Sequence, residues 1–193
     1  GGACSTATGH RPAFTIHPGE DGLRVVQRLL ALTPDVVLVS GAAALLFEPL
    51  AGDAAVAAYG MDQPILRARF ASAGLRANRV QVFGQGVVAE SFDWDDVADR
   101  LDGLRQVHDL NLSSTSLATA RATASLRQEE LSLSRGELVA PVHCGLELYD
   151  VVSVTDPRAG LASATFRVAG LDLRYVRRAR SPVYEQRLLL GSV

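Results

Sequence analysis

One strand-like run near the end of the chain changes phase half-way along. In Thr165–Val176 (TFRVAGLDLRYV), Phe166 and Val168 set one face by alternation, while Leu171, Leu173 and Tyr175 fall in the opposite phase. The slip lies at Ala169-Gly170. In a regular strand, a slip of one residue turns an entire apolar face outward. A β-bulge at the glycine absorbs the extra residue, bends the strand and keeps one face inward. Similar runs flank it: Leu146–Thr155, rich in Leu, Val and Tyr, and Val183–Leu190. The breaks between them, Asp156-Pro157-Arg158-Ala159-Gly160 and Arg180-Ser181-Pro182, carry the proline and glycine that turns require. A bent, bulged antiparallel meander is how small barrels turn corners. The stretch 145–193 therefore predicts a small closed β-barrel, and nothing in it has the make-up of a catalytic centre.

The rest of the chain supplies elements that such a sheet can carry. Gly1–Gly9 is small and polar, a flexible start. Pro12–His17 predicts a short strand. Apolar residues at 23, 25, 26, 29, 30 and 32 have helical periodicity, bounded by Glu20-Asp21-Gly22 and Thr33-Pro34. Asp35–Ser40 and Ala44–Leu50 read as a hairpin about Gly41, which completes a compact α/β unit. Residues 51–74 are ambiguous, with a weak strand signal around Ile65, Arg67 and Phe70. Asn78–Phe83 and Val87–Phe92, joined by Gly84-Gln85-Gly86, form a second hairpin. Asp93–Leu104 is acidic and predicts one or two helical turns around Trp94, and Gln106–Leu110 a short strand. Leu112–Leu131 is the clearest helix, capped by Ser113, Ser114 or Thr115. Its alanines at 118, 120, 122 and 124 suit close packing on a sheet. Gly136–Val142 leads into the terminal meander.

Composition narrows the functional classes. With 193 residues, 48% of them hydrophobic, the chain can bury a sizeable core. The net charge of −2 gives no general attraction to nucleic acid or to an anionic membrane. All 19 basic residues are arginine, so neither a lysine Schiff base nor a P-loop lysine exists here. Two cysteines, Cys4 and Cys144, make neither a disulfide framework nor a four-ligand zinc site. No run approaches the ~20 apolar residues of a membrane span, and there is no signal-peptide pattern. The chain opens on glycine and its sole methionine is Met61, so it is expected to be processed, tagged or cut from a longer protein.

Several groups invite a chemical reading, each weighed against a plainer one. Gly84-x-Gly86-x-x-Ala89 follows a strand, as a dinucleotide fingerprint would. But Val87–Phe92 is better strand than helix, so a hairpin turn is the simpler reading and a nucleotide-binding enzyme using Gly84–Ala89 the alternative. His143-Cys144 pairs a base with a nucleophile in sequence. On a strand, the two side chains would point to opposite faces. His108-Asp109 with Ser113 or Ser114 lacks a nucleophile elbow, and His10 and His17 have no partner at metal spacing. Asp93, Asp95, Asp96, Asp99 and Asp102 have the spacing of a solvated helical face and not of a calcium loop. Arg174, Arg177, Arg178 and Arg180 form a basic end on the meander. Such an end can hold a glycan or nucleic-acid chain, as barrel faces do, or it can pair with the acidic group, Asp95, Asp96 and Asp99, of a neighbouring subunit. No catalytic, cofactor-binding or metal-binding residue is assigned.

Four segments carry a resemblance to a known family: ANRVQVFG (77–84), STSLATARATASLRQ (114–128), GLELYDVVSVTD (145–156), and ATFRVAGLDLRY (164–175) with YEQRLLLG (184–191) as closing strand. Together with the helix and hairpin of 20–50 they resemble the late control protein D family, the central hub of phage and related injection-machine baseplates. The third segment is similar to that family's Gly-Asp-x-Val opening, with Tyr149-Asp150-Val151-Val152 here. The resemblance implies a mechanical role. The chain would join other tail or baseplate proteins, and copies of itself, in a trimeric or pseudo-hexameric ring that links tail tube and needle. It would be assembled in the host cytoplasm and reside in the virion, without membrane contact, sequence-specific nucleic-acid binding or catalysis. The family's hub has two barrels, and this chain has strands for one. The expected fold class is α+β. It comprises a bulged antiparallel β-barrel domain over residues 77–193 with a packed alanine-rich helix (114–130), a small α/β subdomain over 12–76, and a flexible start over 1–11.

Overall fold

The computed structural model describes residues 3–4, 15–40, 43–71, 77–177 and 182–193. The fold is mixed α+β, with a curled half-barrel sheet. Contacts divide the chain into two units. One comprises Leu50–Gly74 and Glu130–Val193, the other Gly2–Pro49 and Leu75–Glu129. Both are discontinuous, which differs from the linear division at residue 76. The chain leaves the second unit after the first hairpin, contributes two strands to the sheet of the first, and then returns. A reading along the sequence has no signal for such an excursion.

The half-barrel unit is a six-stranded sheet. It is built from β4 (Ala55–Tyr59), β5 (Arg67–Phe70), β9 (Ser134–Pro141), β10 (Val151–Asp156), β11 (Leu161–Val176) and β12 (Val183–Gly191), in the order β4-β10-β11-β12-β9-β5. All neighbours are antiparallel except β10 and β4. The curled sheet is consistent with the β-barrel and helix expected, and among the described residues no pairing joins its two edges. The bulge lies where the phase slip predicts it: the β11–β12 register shifts between Val168 and Gly170. A side chain at Gly170 would sit 2.8 Å from Leu189, a second reason for glycine there. The turn after β10 also forms as expected. Pro157–Ala159 is a 3-10 turn, Asp156 accepts a hydrogen bond from the Arg158 N–H, and Gly160 takes φ 71°. The inner face packs Tyr59, Leu138, Ala140, Val152, Val154, Val168, Leu188 and Leu190 into one core.

Two expectations in this unit need correction. The strand predicted from Leu146 begins only at Val151. Residues 146–150 turn instead, because the Asp150 carboxylate accepts from the Glu147 N–H at 2.8 Å and Tyr149 takes a left-handed φ of 68°. His143 and Cys144 are likewise not on a strand; they follow β9 at the turn that ends it. β4 went unrecognised because its sequence, AVAAY, has too few large apolar residues to show alternation.

The second unit carries α1 (Gly22–Leu30), a sheet of β1 (Ala3–Cys4), β3 (Ala43–Glu48) and β2 (Val36–Ser40), and a sheet ordered β7 (Val88–Phe92), β6 (Arg79–Phe83), β8 (Leu104–His108). It also carries α2 (Trp94–Arg100) and all but the end of α3 (Thr115–Leu131). Of the strand predicted over Pro12–His17, residues 12–14 lie outside the described residues, and 15–17 are not strand. The Ser114 hydroxyl caps α3 by accepting from the Leu117 N–H at 3.3 Å. Ala118, Ala122 and Leu126, four residues apart, form a narrow stripe that packs with Val80 and Val82 of β6. The outer side of α3 is also put to use. At and just beyond the C-terminus of α1, Arg121 donates to the Ala31 carbonyl and Gln128 to those of Leu30 and Thr33.

Candidate assembly surface

Gly84-Gln85-Gly86 is a hairpin turn. The Gly84 N–H donates to the Val87 carbonyl at 2.8 Å, and Val88–Phe92 returns antiparallel to β6, so no helix N-terminus stands there to receive a pyrophosphate. A Cβ at Gly84 would lie 2.4 Å from the Leu112 carbonyl oxygen, which accounts for that glycine by packing. His108 stacks on Phe83 at 4.8 Å, and Asp109 accepts from the backbone and side chain of Asn111. Among the described residues no group of three or more His, Cys, Asp or Glu could hold a metal ion.

The basic and acidic clusters fall in different units. Arg174, on β11, pairs with Glu185 on β12 at 3.3 Å, and Arg177 follows β11 in solvent. Arg178 and Arg180 lie outside the described residues. On α2, Asp93 caps the helix by accepting from the Asp96 N–H. Asp96 accepts from the Asn78 side chain at 3.1 Å and pairs with Arg100 at 3.5 Å, and Asp102 pairs with Arg79. Three of the acidic residues therefore have work within the fold. Asp95 and Asp99 stand exposed.

The structure also exposes aromatic groups beside these charges that the charge pattern did not single out. The outer half of the β11–β12 hairpin extends past the core with its inner face uncovered. Leu173 is 56% exposed, Tyr175 64% and Tyr184 55%. Tyr175 and Tyr184 are paired across the strands, with rings edge to face at 5.9 Å. On the acidic helix, Trp94 is 67% exposed and stacks on Phe92 at 4.5 Å. Tyr and Trp flanked by charge are the residues that dominate protein interfaces. The alternation predicted Tyr175 inward, and its phase is inward. What the sequence lacked was any sign that the sheet's neighbours end before reaching it.

The turn into β10 is braced from within. Arg167, with its side chain 3% exposed, pairs with Asp53 at 3.1 Å and donates to the carbonyls of Tyr149 at 2.8 Å and Leu50 at 2.6 Å. Tyr149 adopts a positive φ of the kind that glycine tolerates without cost. Arg167 grips the carbonyl of that strained residue.

The chain matches no family model and no curated protein sequence. Its fold is that of a prophage tail protein. The 43 kDa tail protein of prophage MuSo2 from Shewanella oneidensis is similar to it with a TM-score of 0.65 at 14% sequence identity, over 93% of this chain and 54% of that one. The prophage tail protein gp18 from Listeria monocytogenes EGD-e aligns with a TM-score of 0.46 at 12% identity, over 88% of this chain and 52% of its own. The chain thus spans about half the length of both.

Proposed function

We propose that the chain is a structural component of a phage tail or tail-like injection machine, a subunit of the baseplate hub ring that links tube and needle. The likeness of its fold to the MuSo2 tail protein over 93% of the chain is the observation that carries this reading. The exposed Tyr175–Tyr184 pair and the charges beside it support it. In the ring, the basic end, Arg174 to Arg180, of one subunit meets the acidic helix, Asp95, Asp96 and Asp99, of the next, with Tyr175, Tyr184 and Trp94 as apolar anchors. The role is mechanical, and no residue is catalytic.

Light scattering across a concentration series tests this. A trimer, a hexamer, or reversible growth towards one is the expected result. Arg177→Glu should lower the mass, and adding Asp95→Arg with Asp99→Arg should restore it. A strict monomer at the highest soluble concentration would overturn the ring, and an oligomer indifferent to both substitutions would overturn the charge pairing.

A further inference from the structure

Within the second unit, Thr15 and His17, α1, the turn after β8 and the start of α3 line an open cavity of about 730 Å³. That is the size of ordinary small-ligand sites, about 300–1,000 Å³. Its floor is aliphatic: Ala31, Leu32, Leu112 and Leu117 line it, and Leu32 and Leu112 belong to the core behind.

The wall is charged, and one charge is poorly satisfied. Arg121 on α3 donates to the Ala31 carbonyl, while its Nε is sealed from solvent with no hydrogen-bond partner. No carboxylate among the described residues forms a hydrogen bond or ion pair with it. Burial pushes its pKa down. The field of Asp109 opposes that shift and the field of Arg105 adds to it. A guanidinium does not shed its proton at ordinary pH. The fold therefore keeps a partly buried cation, and most of its five donors remain available. Arg24 lines the same cavity from α1 and is exposed, whereas Arg28 is engaged by Glu20.

We propose that this cavity is a binding site for a carboxylate carried on an aliphatic body, with Arg121 and Arg24 taking the carboxylate and the leucine floor taking the chain. A planar guanidinium matches a carboxylate with two parallel hydrogen bonds. Phosphate fits less well. Asp109 stands in the wall and repels a dianion, and the aliphatic floor offers a compact hydrated ion nothing. The carboxylate can come from a free aliphatic acid or from an acidic residue set among leucines in a peptide. The site does not depend on the ring reading.

The test is an amide NMR titration of the full chain with four probes: hexanoate, a capped Leu-Asp-Leu peptide, its Leu-Asn-Leu counterpart, and inorganic phosphate. Hexanoate or the Asp peptide should produce saturable shifts at Ala31, Leu32, Leu112 and Arg121. The Asn peptide should bind at least about tenfold more weakly, the worth of a hydrogen bond to a charged group. Arg121→Gln should weaken the responding probe by a similar factor and Arg24→Ala by less. A response to the peptide alone makes a peptide the ligand, and a response to hexanoate alone makes a free acid the ligand; either supports carboxylate recognition. Silence from both at millimolar concentration, equal binding of the Asp and Asn peptides, or a response to phosphate only would overturn the proposal. Should Arg121→Gln fail to fold, the Asn peptide and Arg24→Ala decide the matter.

Discussion

Each unit holds an arginine whose Nε is sealed without a hydrogen-bond partner, and the two differ in what their remaining donors meet. In the half-barrel, Arg167 is enclosed, and its two terminal nitrogens meet one carboxylate and two backbone carbonyls within 3.1 Å. In the helical unit, Arg121 has one carbonyl, a sealed Nε without a partner and an open cavity before it. A buried charge paired with a carboxylate locks geometry: Arg167 ties β11 to the turn before β10 and to the segment leading into β4. One without such a partner leaves interaction capacity unspent. The contrast separates an arginine that holds shape from one with room to bind.

Removing Arg167 is the severest way to break the contrast. Arg167→Leu leaves the Asp53 carboxylate, whose side chain is only 14% exposed, without its cation, and takes one donor from each of the carbonyls of Leu50 and Tyr149. The expected loss is about 3–5 kcal/mol, the cost of breaking a buried pair from one side, read as a fall in the urea midpoint. Adding Asp53→Asn, which removes the stranded charge, should recover part of it. A loss below about 1 kcal/mol would mean that the pair is solvated and the lock is not one.

Much of the half-barrel was legible before any coordinates, and Arg167 was not. The bulge at Gly170 announces itself because Phe166, Val168, Leu171 and Leu173 are large apolar residues whose phase can be counted. Asp156-Pro157 and Gly160 mark their turn through backbone chemistry. Arg167 sits between two apolar neighbours and reads as an outward residue of an alternating strand. Its partner Asp53 is 114 positions away, and no local pattern encodes such a pairing. β4 stayed hidden for a related reason, since it is an edge strand whose residues before Tyr59 are alanine and valine, exposed or half-buried, and display no alternation. The surface was half legible. Arg177, Asp95 and Asp99 are as exposed as charge patterning implies, but Arg174 and Asp96 already have partners. The exposure of Tyr175 and Tyr184 follows from where the neighbouring strands stop.

A gentler substitution tests how closely the half-barrel core is built. Tyr59 is fully buried, and its hydroxyl accepts from the Gln186 side-chain amide at 2.7 Å. The Gln186 carbonyl accepts in turn from the His143 N–H at 3.1 Å. Tyr59→Phe leaves the buried amide short of a partner, so about 1–2 kcal/mol should be lost at neutral pH. Burial also holds the Tyr59 hydroxyl above its ordinary pKa, with the Gln186 bond working the other way. The raised folded value means that the unfolded chain gives up the proton first. The corresponding stability is intact below about pH 10, the ordinary tyrosine value, and is lost as pH rises through the folded value. Urea curves at neutral and alkaline pH should show a steeper alkaline loss in the parent than in Tyr59→Phe. Equal slopes would mean that water reaches the hydroxyl.

The smallest effect is expected at the other arginine, and its smallness is the point. Arg121→Leu removes one hydrogen bond to Ala31, at the end of α1, worth about 1 kcal/mol. It also removes a partly buried cation that has no ion pair, which is a gain of similar size and opposite sign. The two should nearly cancel, leaving a change within about 1 kcal/mol in the same urea measurement that registers Arg167→Leu as severe. A large loss would show that Arg121 is a structural brace like Arg167 and that the contrast between the two arginines is false. A near-neutral result, together with lost carboxylate binding, would show that the helical unit keeps this charge for a ligand and not for the fold.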